Sequence, residues 1–300
     1  MIALIIAILA GFFLCLSSII MRKGMYSSGE SSTAVAISCF TGVLVFGCVI
    51  LVTGEAKRLP TLSWPALAYL SGAGVLHFVF GRMVSYYGFR LIGANRGNPI
   101  TNFQMVVSVL LGVTVLGEPL TINLVLATIL ILAGIMLVSR TVADDKEGNG
   151  LTRKTLWKGV FAVLAGALIW GVTPLLIKMG LREEVSSLTG AFISYASAAL
   201  IIGLLLFYPG NAARLRKLSR SALNMLVVSS VILSAGQLLR YMAIDYGSVS
   251  LVTPILGSMA SLVVFPLSFL ISRKIEYFGP MAIIGAVLVT SGILLIFLVA

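Results

Sequence analysis

Ten long apolar stretches alternate with short polar connections along the chain. A helix that crosses a bilayer needs about 20 apolar residues, and backbone groups in lipid must find their hydrogen bonds internally. Because the stretches are too long and too continuously apolar for barrel strands, we predict an all-α integral membrane protein with ten transmembrane helices. The predicted spans, numbered 1 to 10, are 2–21, 33–53, 64–89, 94–116, 121–139, 156–177, 187–208, 221–244, 248–271 and 277–299.

The second half of this pattern repeats the first. Residues 7–11 (AILAG) align with residues 162–166 (AVLAG), an offset of 162 − 7 = 155, and the same offset places Tyr86 on Tyr241. Each repeat holds five spans, an odd number, so the second repeat enters the membrane from the opposite side. Inverted repeats are typical of secondary transporters, with a substrate site between the repeats. We predict a first repeat at 1–139, a cytoplasmic linker at 140–155 and a second repeat at 156–300.

Composition supports a membrane protein. The chain is 59% hydrophobic and 10% charged, with a mean hydropathy of +1.09, which is too apolar for an ordinary soluble domain. The first 20 residues lack the basic start of a signal peptide and match an internal helix near Phe161. We therefore expect them to be a retained first span.

The net charge of +11 is explained by membrane topology, and we expect no nucleic-acid partner. Connections after odd-numbered spans carry 15 Lys and Arg residues, and the opposite connections carry 4. The positive-inside rule makes the basic side cytoplasmic, so we expect a multi-pass protein of the cell inner (plasma) membrane with both termini outside. The basic set is Arg22, Lys23, Arg90, Arg96, Arg140, Lys146, Arg153, Lys154, Lys158, Arg214, Arg216, Lys217, Arg220, Arg273 and Lys274, against Lys57, Arg58, Lys178 and Arg182.

Ionisable residues inside the spans concentrate on spans 3 and 8, which are equivalent in the repeat. Charge at bilayer depth is expensive and usually faces a cavity or a partner. Residues three, four and seven apart share a helix face, which gives one polar stripe on each of several spans. The stripes are His77, Gly81, Ser85 and Gly88 with Arg82 and Tyr86 beside them; Ser230, Ser234, Gln237 and Tyr241 with Arg240 beside them; Asn95, Asn98 and Asn102; and Ser250, Thr253 and Gly257.

Three prolines interrupt helices next to these stripes. Proline frees a backbone carbonyl and bends a helix, and such carbonyls are tolerated at depth only beside protein or a wet cavity. We therefore predict one shared polar cavity with hinges at Pro99, Pro174 and Pro254. Its predicted substrate-binding residues are His77, Arg82, Tyr86, Asn95, Asn98, Asn102, Trp170, Gln237, Arg240, Tyr241 and Thr253.

Other interpretations of these residues stay open. Small and hydroxyl residues on one face also serve close helix packing, His77 could be a hydrogen-bonded packing residue, and Asp245 could pair with a basic neighbour. Cys15, Cys39 and Cys48 fall within spans and are expected to pack. We predict no metal site.

Several motifs resemble the drug/metabolite transporter superfamily, in its ten-helix EamA-type branch, and the resemblance covers nearly the whole chain. The motifs are Gly81-Arg82 with Tyr86-Tyr87-Gly88, Leu116-Gly117-Glu118-Pro119, and Trp170-Gly171 with Pro174 and Lys178. Cys15-Leu16 stands where the family has Trp-Gly, and the second Gly-Glu site fits Glu276 only at an offset of 158. Relatives also keep their termini in the cytoplasm, whereas the charges here indicate the reverse.

The resemblance implies alternating access, with spans 1, 3, 4, 6, 8 and 9 around the cavity. Spans 5 and 10 would be peripheral and pack through Ala127, Gly134, Gly285 and Gly292. We expect an exporter of a small polar metabolite, anionic or zwitterionic, such as an amino acid, because cationic groups dominate the predicted cavity and no carboxylate lies deep in a span.

In this hypothesis Arg82 and Arg240 attract a substrate carboxylate, and His77 or Asp245 couples transport to protons. We expect no other cofactor, and a monomer or homodimer in contact with membrane lipid. The alternative is a flippase for a lipid-linked carrier on the same fold. An intramembrane enzyme is disfavoured because the chain has a single histidine and lacks Gly-x-Ser-x-Gly, and a channel is disfavoured because no filter-like loop repeats.

Overall fold

In the computed structural model of the protein, the backbone is described for residues 1–28, 31–92, 97, 100–143, 152–206, 218–259 and 280–299. This part of the chain contains eleven α-helices and no β-strand, so the all-α prediction holds there. The helices are α1 Ile2–Ser28, α2 Ser31–Thr53, α3 Trp64–Gly74, α4 Arg82–Ile92, α5 Phe103–Thr114, α6 Ile122–Ala143, α7 Arg153–Leu181, α8 Ser187–Leu206, α9 Arg220–Tyr246, α10 Val249–Met259 and α11 Pro280–Val299.

Two short segments of tighter or wider helix were not predicted. A 3₁₀ helix, Glu55–Thr61, follows α2, and a π-helical segment, Val75–Gly81, joins α3 to α4. The three pieces from Trp64 to Ile92 form one continuous apolar stretch. Within the described residues, six stretches are long and apolar enough to cross a membrane, namely Ile2–Met21, Thr33–Thr53, Trp64–Ile92, Arg153–Leu181, Ser187–Leu206 and Arg220–Tyr246.

The helices extend beyond several predicted boundaries. Thr152 Oγ1 accepts the backbone N–H of Thr155 at 3.3 Å, and Ser219 Oγ accepts that of Ala222 at 3.2 Å. Hydroxyl caps of this kind start a helix before its first apolar residue, so α7 and α9 begin earlier than predicted. Because α6 also continues to Ala143, the predicted linker at 140–155 is too long, and 144–151 lie outside the described residues.

Helices of the two halves pack against each other in matching pairs. α1 lies along α9, and α4 lies along α7; α2 packs on α8, α5 on α10, and α6 on α11. α5 also contacts α7, and α10 contacts α1. Most of the buried surface therefore joins one half of the chain to the other.

Close contact between α6 and α11 depends on glycine, as the family resemblance implied. A Cβ atom on Gly134 would lie 2.5 Å from the carbonyl oxygen of Gly285, and one on Gly292 would lie 2.9 Å from that of Ala127. Small residues let two backbones approach within a membrane, where dispersion contacts replace the hydrophobic effect between helices. α6 and α11 form a closely packed pair that contributes no side chain to the site described below.

We expect Gly134→Leu to lower the thermal midpoint of the purified protein. A larger side chain would meet the α11 backbone, and overpacking of this kind costs about 1–3 kcal/mol. The matched control is Met136→Leu, which introduces the same side chain two residues away at a position that is 50% exposed. Equal midpoints for the two variants, measured by size-exclusion thermostability in detergent, would contradict the close contact.

Candidate functional site

A cavity of about 280 Å³ lies between the two halves of the chain. Its walls come from α1, the π-helical segment, α4, α5, α7, α9 and α10, which correspond to predicted spans 1, 3, 4, 6, 8 and 9. This volume is at the small end for ligand pockets and suits a small metabolite. The polar or amphipathic residues lining it are Ser17, Ser18, His77, Arg82, Tyr86, Gln104, Trp170, Gln237, Arg240 and Thr253.

The wall formed by α9 places an amide and a guanidinium one helical turn apart. Gln237 is 3% exposed and Arg240 is 8% exposed. Gln237 Oε1 is buried and has no hydrogen-bond partner among the described residues, and the same is true of Thr253 Oγ1 on α10. An unpaired buried polar atom costs about 1–3 kcal/mol, so both atoms gain if a water or ligand group binds in the cavity.

A line of hydrogen bonds connects Arg240 to α7. Arg240 Nη1 lies 3.1 Å from His77 Nε2, and His77 Nδ1 lies 3.3 Å from Thr173 Oγ1. Thr173 Oγ1 in turn donates to the carbonyl oxygen of Trp170 at 2.6 Å. The imidazole therefore links the cationic wall of α9 to the helix that carries Trp170.

Arg82, the second cation of the cavity, is 8% exposed. Its Nη1 donates to Ser38 Oγ at 2.9 Å, and its guanidinium carbon lies 5.1 Å from the centre of the Phe78 ring. Arginine carries five N–H donors, so this single donated bond leaves others for a ligand. Neither Arg82 nor Arg240 forms a salt bridge with a carboxylate in the part of the chain described.

The π-helical segment explains why His77 and Arg82 line the same cavity. In an α-helix, residues five apart point to different sides, and the sequence pattern had placed Arg82 on a neighbouring arc. A π turn bonds residue i to residue i+5, so two residues five apart return to nearly the same side. The widened turn also offers the carbonyl oxygen of His77 to Trp170 Nε1, which donates to it at 3.1 Å.

Gly81 makes room for that indole. A Cβ atom on Gly81 would lie 2.4 Å from Trp170 Nε1, so a side chain at this position would push the tryptophan away. Gly81 and the π turn together fix Trp170 against His77, with ring centroids 6.1 Å apart.

Most of the predicted binding residues that the structure describes do line the cavity. Tyr241 does not: it is 1% exposed and donates from its hydroxyl to Ser194 Oγ at 2.7 Å. Its position one residue after Arg240 turns it into the apolar core, because successive helix residues are about 100° apart. Of the predicted hinges, Pro174 lines the cavity and Pro254 is buried beside it.

The remaining predicted residues are less informative. Asn102 is half-buried at the start of α5 and is not part of the cavity wall. Asn95, Asn98 and Pro99 lie outside the described residues.

Four lining residues were missed by the sequence analysis: Ser17, Met21, Gln104 and Met105. Met105 continues the spacing of Asn98 and Asn102 by three residues, but a search for polar stripes passes over an apolar side chain. Gly257 gives it space, since a Cβ atom there would lie 2.0 Å from Met105 Cε.

One end of the bundle is closed by two charged side chains that cap the turn between α9 and α10. Lys178 Nζ donates to the carbonyl oxygens of Ile244, Asp245 and Gly247 at 2.7, 2.8 and 3.0 Å. An ammonium at a helix C-terminus and a carboxylate at a helix N-terminus both match the helix dipole. Glu118 supplies the carboxylate, accepting from the backbone N–H groups of Val249 and Ser250 at 2.6 and 2.8 Å.

Two glycines seat Glu118 in this contact. Gly117 has φ = 70°, a left-handed conformation that favours glycine. A Cβ atom on Gly112 would lie 2.5 Å from Glu118 Oε2, so only glycine leaves space for the carboxylate. The Gly-Glu motif seen in the sequence thus has a physical role as a cap for α10.

The cavity lies toward the other end of the bundle. The α1 residues that line it, Leu14 to Met21, belong to the second half of the apolar stretch Ile2–Met21. Tyr86 likewise lies near the C-terminal end of the stretch Trp64–Ile92. These ends lead into the connections that carry most of the Lys and Arg residues.

Comparison with known proteins supports a transport function. "Putative ribose uptake protein RbsU" of Staphylococcus aureus strain Mu50 is 30% identical over 131 residues, 43% of each chain. The protein of the same name from strain COL is 29% identical over the same share. The match therefore spans less than half the length of these curated relatives.

A solved structure, titled only "Crystal structure of protein", shares the fold. It has a TM-score of 0.76 and 19% sequence identity, and the match covers 98% of this chain and 97% of that one. The model of the EamA-like transporter family matches residues 1–140 and 157–298, which is nearly the whole chain. A multi-pass helical bundle with a polar cavity between its halves fits that match, and the chain belongs to the EamA-like transporter family.

Proposed function

We propose that this protein is a secondary transporter of a small anionic or zwitterionic polar metabolite, such as an amino acid, and that it acts as an exporter. The observation that carries the proposal is the pair of buried guanidinium groups, Arg82 and Arg240, that line the cavity without a carboxylate among the described residues. The proposal assigns binding, and no catalysis, to these side chains.

Charge balance favours an anionic ligand. A buried cation without a counter-ion loses hydration that the protein does not replace. A carboxylate in the cavity would restore that balance and accept charge-assisted hydrogen bonds, which are worth about 1.5–3 kcal/mol each. A cationic substrate would instead add a third positive charge.

The two unpartnered polar atoms indicate what else the substrate carries. Gln237 Oε1 needs a donor, and an ammonium or hydroxyl group provides one. The Thr253 hydroxyl can donate or accept. A small molecule with a carboxylate and a neighbouring donor group, as in an amino acid, would satisfy both the cations and these atoms.

The name of the relatives suggests a second candidate, uptake of a pentose. Hydroxyl and amide groups in the cavity, from Ser17, Ser18 and Gln104, could bind sugar hydroxyls. A neutral sugar would leave both guanidinium groups without a counter-ion, so we rank it second. A flippase for a lipid-linked carrier remains the alternative on this fold, but a cavity of about 280 Å³ is small for its head group.

Reciprocal packing supports two inverted five-helix repeats. Span 1 packs on span 8 as span 6 packs on span 3, and span 4 packs on span 6 as span 9 packs on span 1. Gly81 contacts Trp170, and its repeat equivalent Gly236 contacts Leu14. Contacts in which i meets j and j meets i are those of a two-fold axis, and an odd number of spans would put that axis in the membrane plane.

Alternating access follows from the two unlike ends of the bundle. The cavity lies toward the end with the basic connections, which the positive-inside rule would make cytoplasmic. The opposite end is closed by Lys178 and Glu118. We infer an arrangement that receives substrate from the cytoplasm, in the plasma membrane, with residues 2 and 299 toward the outside.

Arg240→Gln tests the anion site. We expect an amino acid that raises the thermal midpoint of the wild-type protein to lose this effect in the variant, with apparent affinity falling about 10- to 100-fold for the loss of one charge-assisted contact. The assay is a thermal-shift screen with L-amino acids, small carboxylates and D-ribose, followed by proteoliposome transport, since a ligand that binds only the folded state stabilises it.

Arg182→Gln is the matched control, because Arg182 is exposed and lies outside the cavity wall. Stabilisation by D-ribose alone, or equal ligand responses in wild-type protein and the Arg240 variant, would overturn the anion proposal. Lipid-linked probes moved in place of small metabolites would favour the flippase.

Lys178→Met tests the closed end. Removing the ammonium leaves three helix-end carbonyls without their donor, so we expect this end to open more often. In a variant lacking Cys15, Cys39 and Cys48, a cysteine placed at Ser250, which is 1% exposed, reports access to a water-soluble maleimide. We expect about tenfold faster labelling, from about 1.4 kcal/mol of lost stabilisation.

Arg182→Met, at the same end of the bundle, serves as the control and should leave the labelling rate unchanged. If Lys178→Met labels no faster than this control, the cap on the α9–α10 turn does not hold the site closed.

A further inference from the structure

The neighbours of His77 hold its imidazole in one protonation state. Thr173 Oγ1 uses its single proton on the carbonyl oxygen of Trp170, so it must accept from His77 Nδ1. Arg240 Nη1 has only protons to offer, so His77 Nε2 must accept from it. Both contacts require a neutral imidazole with its proton on Nδ1.

The groups around His77 make a second proton unfavourable in the empty cavity. Arg240 from α9 and Arg82 from α4 are the charged groups that act on it, and no carboxylate among the described residues faces it. α7 contributes the neutral Trp170 and Thr173. The titratable groups buried around the two arginines are Cys39 of α2, Tyr195 of α8 and Tyr241 of α9.

An anion in the cavity would reverse that preference. Protonation converts His77 Nε2 from an acceptor of the Arg240 N–H into a donor. Both groups can then donate to one carboxylate, whose charge offsets the repulsion between imidazolium and guanidinium. The empty cavity offers an anion the guanidinium donors alone; the protonated cavity adds the imidazole N–H.

We propose that His77 is the proton site of this transporter and takes up one proton when an anionic substrate binds. This rests on the proposed function. The proton comes from water at the cavity mouth, an N–H bond forms at Nε2, and the Arg240 donor passes from Nε2 to a carboxylate oxygen. When the substrate leaves, the proton returns to water and the Arg240–His77 bond forms again.

The proton and the anion then travel in the same direction. Export runs down the gradient of the metabolite, and an inward proton gradient slows it and favours uptake. Binding strength should be reciprocal, so each anion bound favours one proton and each proton favours the anion.

The fluorescence of Trp170 provides a direct reading, because a protonated imidazole quenches a nearby indole and the two rings are 6.1 Å apart. Trp64→Phe and Trp157→Phe, at positions 80% and 51% exposed, leave Trp170 as the single tryptophan. The protein in lipid nanodiscs is titrated from about pH 8 to about pH 5, the range in which histidine changes charge. Acetate is the anionic probe, and acetamide is its uncharged match of nearly equal size.

With acetate we expect a quenching transition that is absent with acetamide and absent in His77→Gln. The apparent affinity for acetate should rise about tenfold for each pH unit lowered above the transition, since one proton is bound with it. The comparison of acetate with acetamide needs no substitution at His77, so it stands even if that variant does not fold.

Two failures have different meanings. If acetate stabilises the wild-type protein and not Arg240→Gln, but produces no quenching transition, the proton site is wrong and the anion transporter survives. If acetate has no effect on thermal midpoint or fluorescence at any pH in this range, the anion site itself is wrong, and the proton proposal falls with it.

Discussion

Two guanidinium groups without a carboxylate, inside a bundle that is otherwise apolar, are the constraint on which the rest of the site depends. Arg82 is kept there by the Ser38 hydroxyl and the Phe78 ring, and Arg240 by the imidazole of His77. All three partners are neutral, so they satisfy donors without cancelling charge. Since buried charge without a counter-ion is costly, the unbalanced cations identify the cavity as a place where an anion is bound and released, and not as a structural ion-pair site.

The walls around these cations are held at short distances by glycine. Gly81 admits Trp170, Gly257 admits Met105, and Gly134 admits the α11 backbone. Each contact fixes one helix against a helix of the other half, which keeps the cavity walls in register. Because helix association in lipid relies on close packing, the same small residues that look like a polar path in the sequence carry much of the packing. Both interpretations of the stripes are therefore correct, at different positions along them.

Hydropathy and helical spacing predicted much of this arrangement, because both depend on local sequence. They located the apolar stretches and placed His77, Gln237, Arg240 and Thr253 on faces that line the cavity. They failed where geometry departs from a regular α-helix or depends on a distant partner. The π turn that brings Arg82 beside His77 is stabilised by an indole from α7, 93 residues away in the sequence. Tyr241 was assigned to the cavity because it continues a polar stripe, yet Ser194 on α8 offers its hydroxyl a partner in the core.

A transporter that alternates must keep its two closed ends nearly equal in free energy, because a difference of about 5.5 kcal/mol already shifts the population from 1:99 to 99:1. The cap on the α9–α10 turn involves three bonds from Lys178 and two to Glu118. At about 1.5–3 kcal/mol for each contact with a charged group, its loss without replacement would far exceed that limit. Opening this end therefore requires comparable contacts to form at the other. The repeat supplies a candidate, because Lys23 is the equivalent of Lys178 at an offset of 178 − 23 = 155. On the proposed mechanism, the transporter exchanges one lysine cap for the other, and the substrate needs to contribute only the small remaining difference.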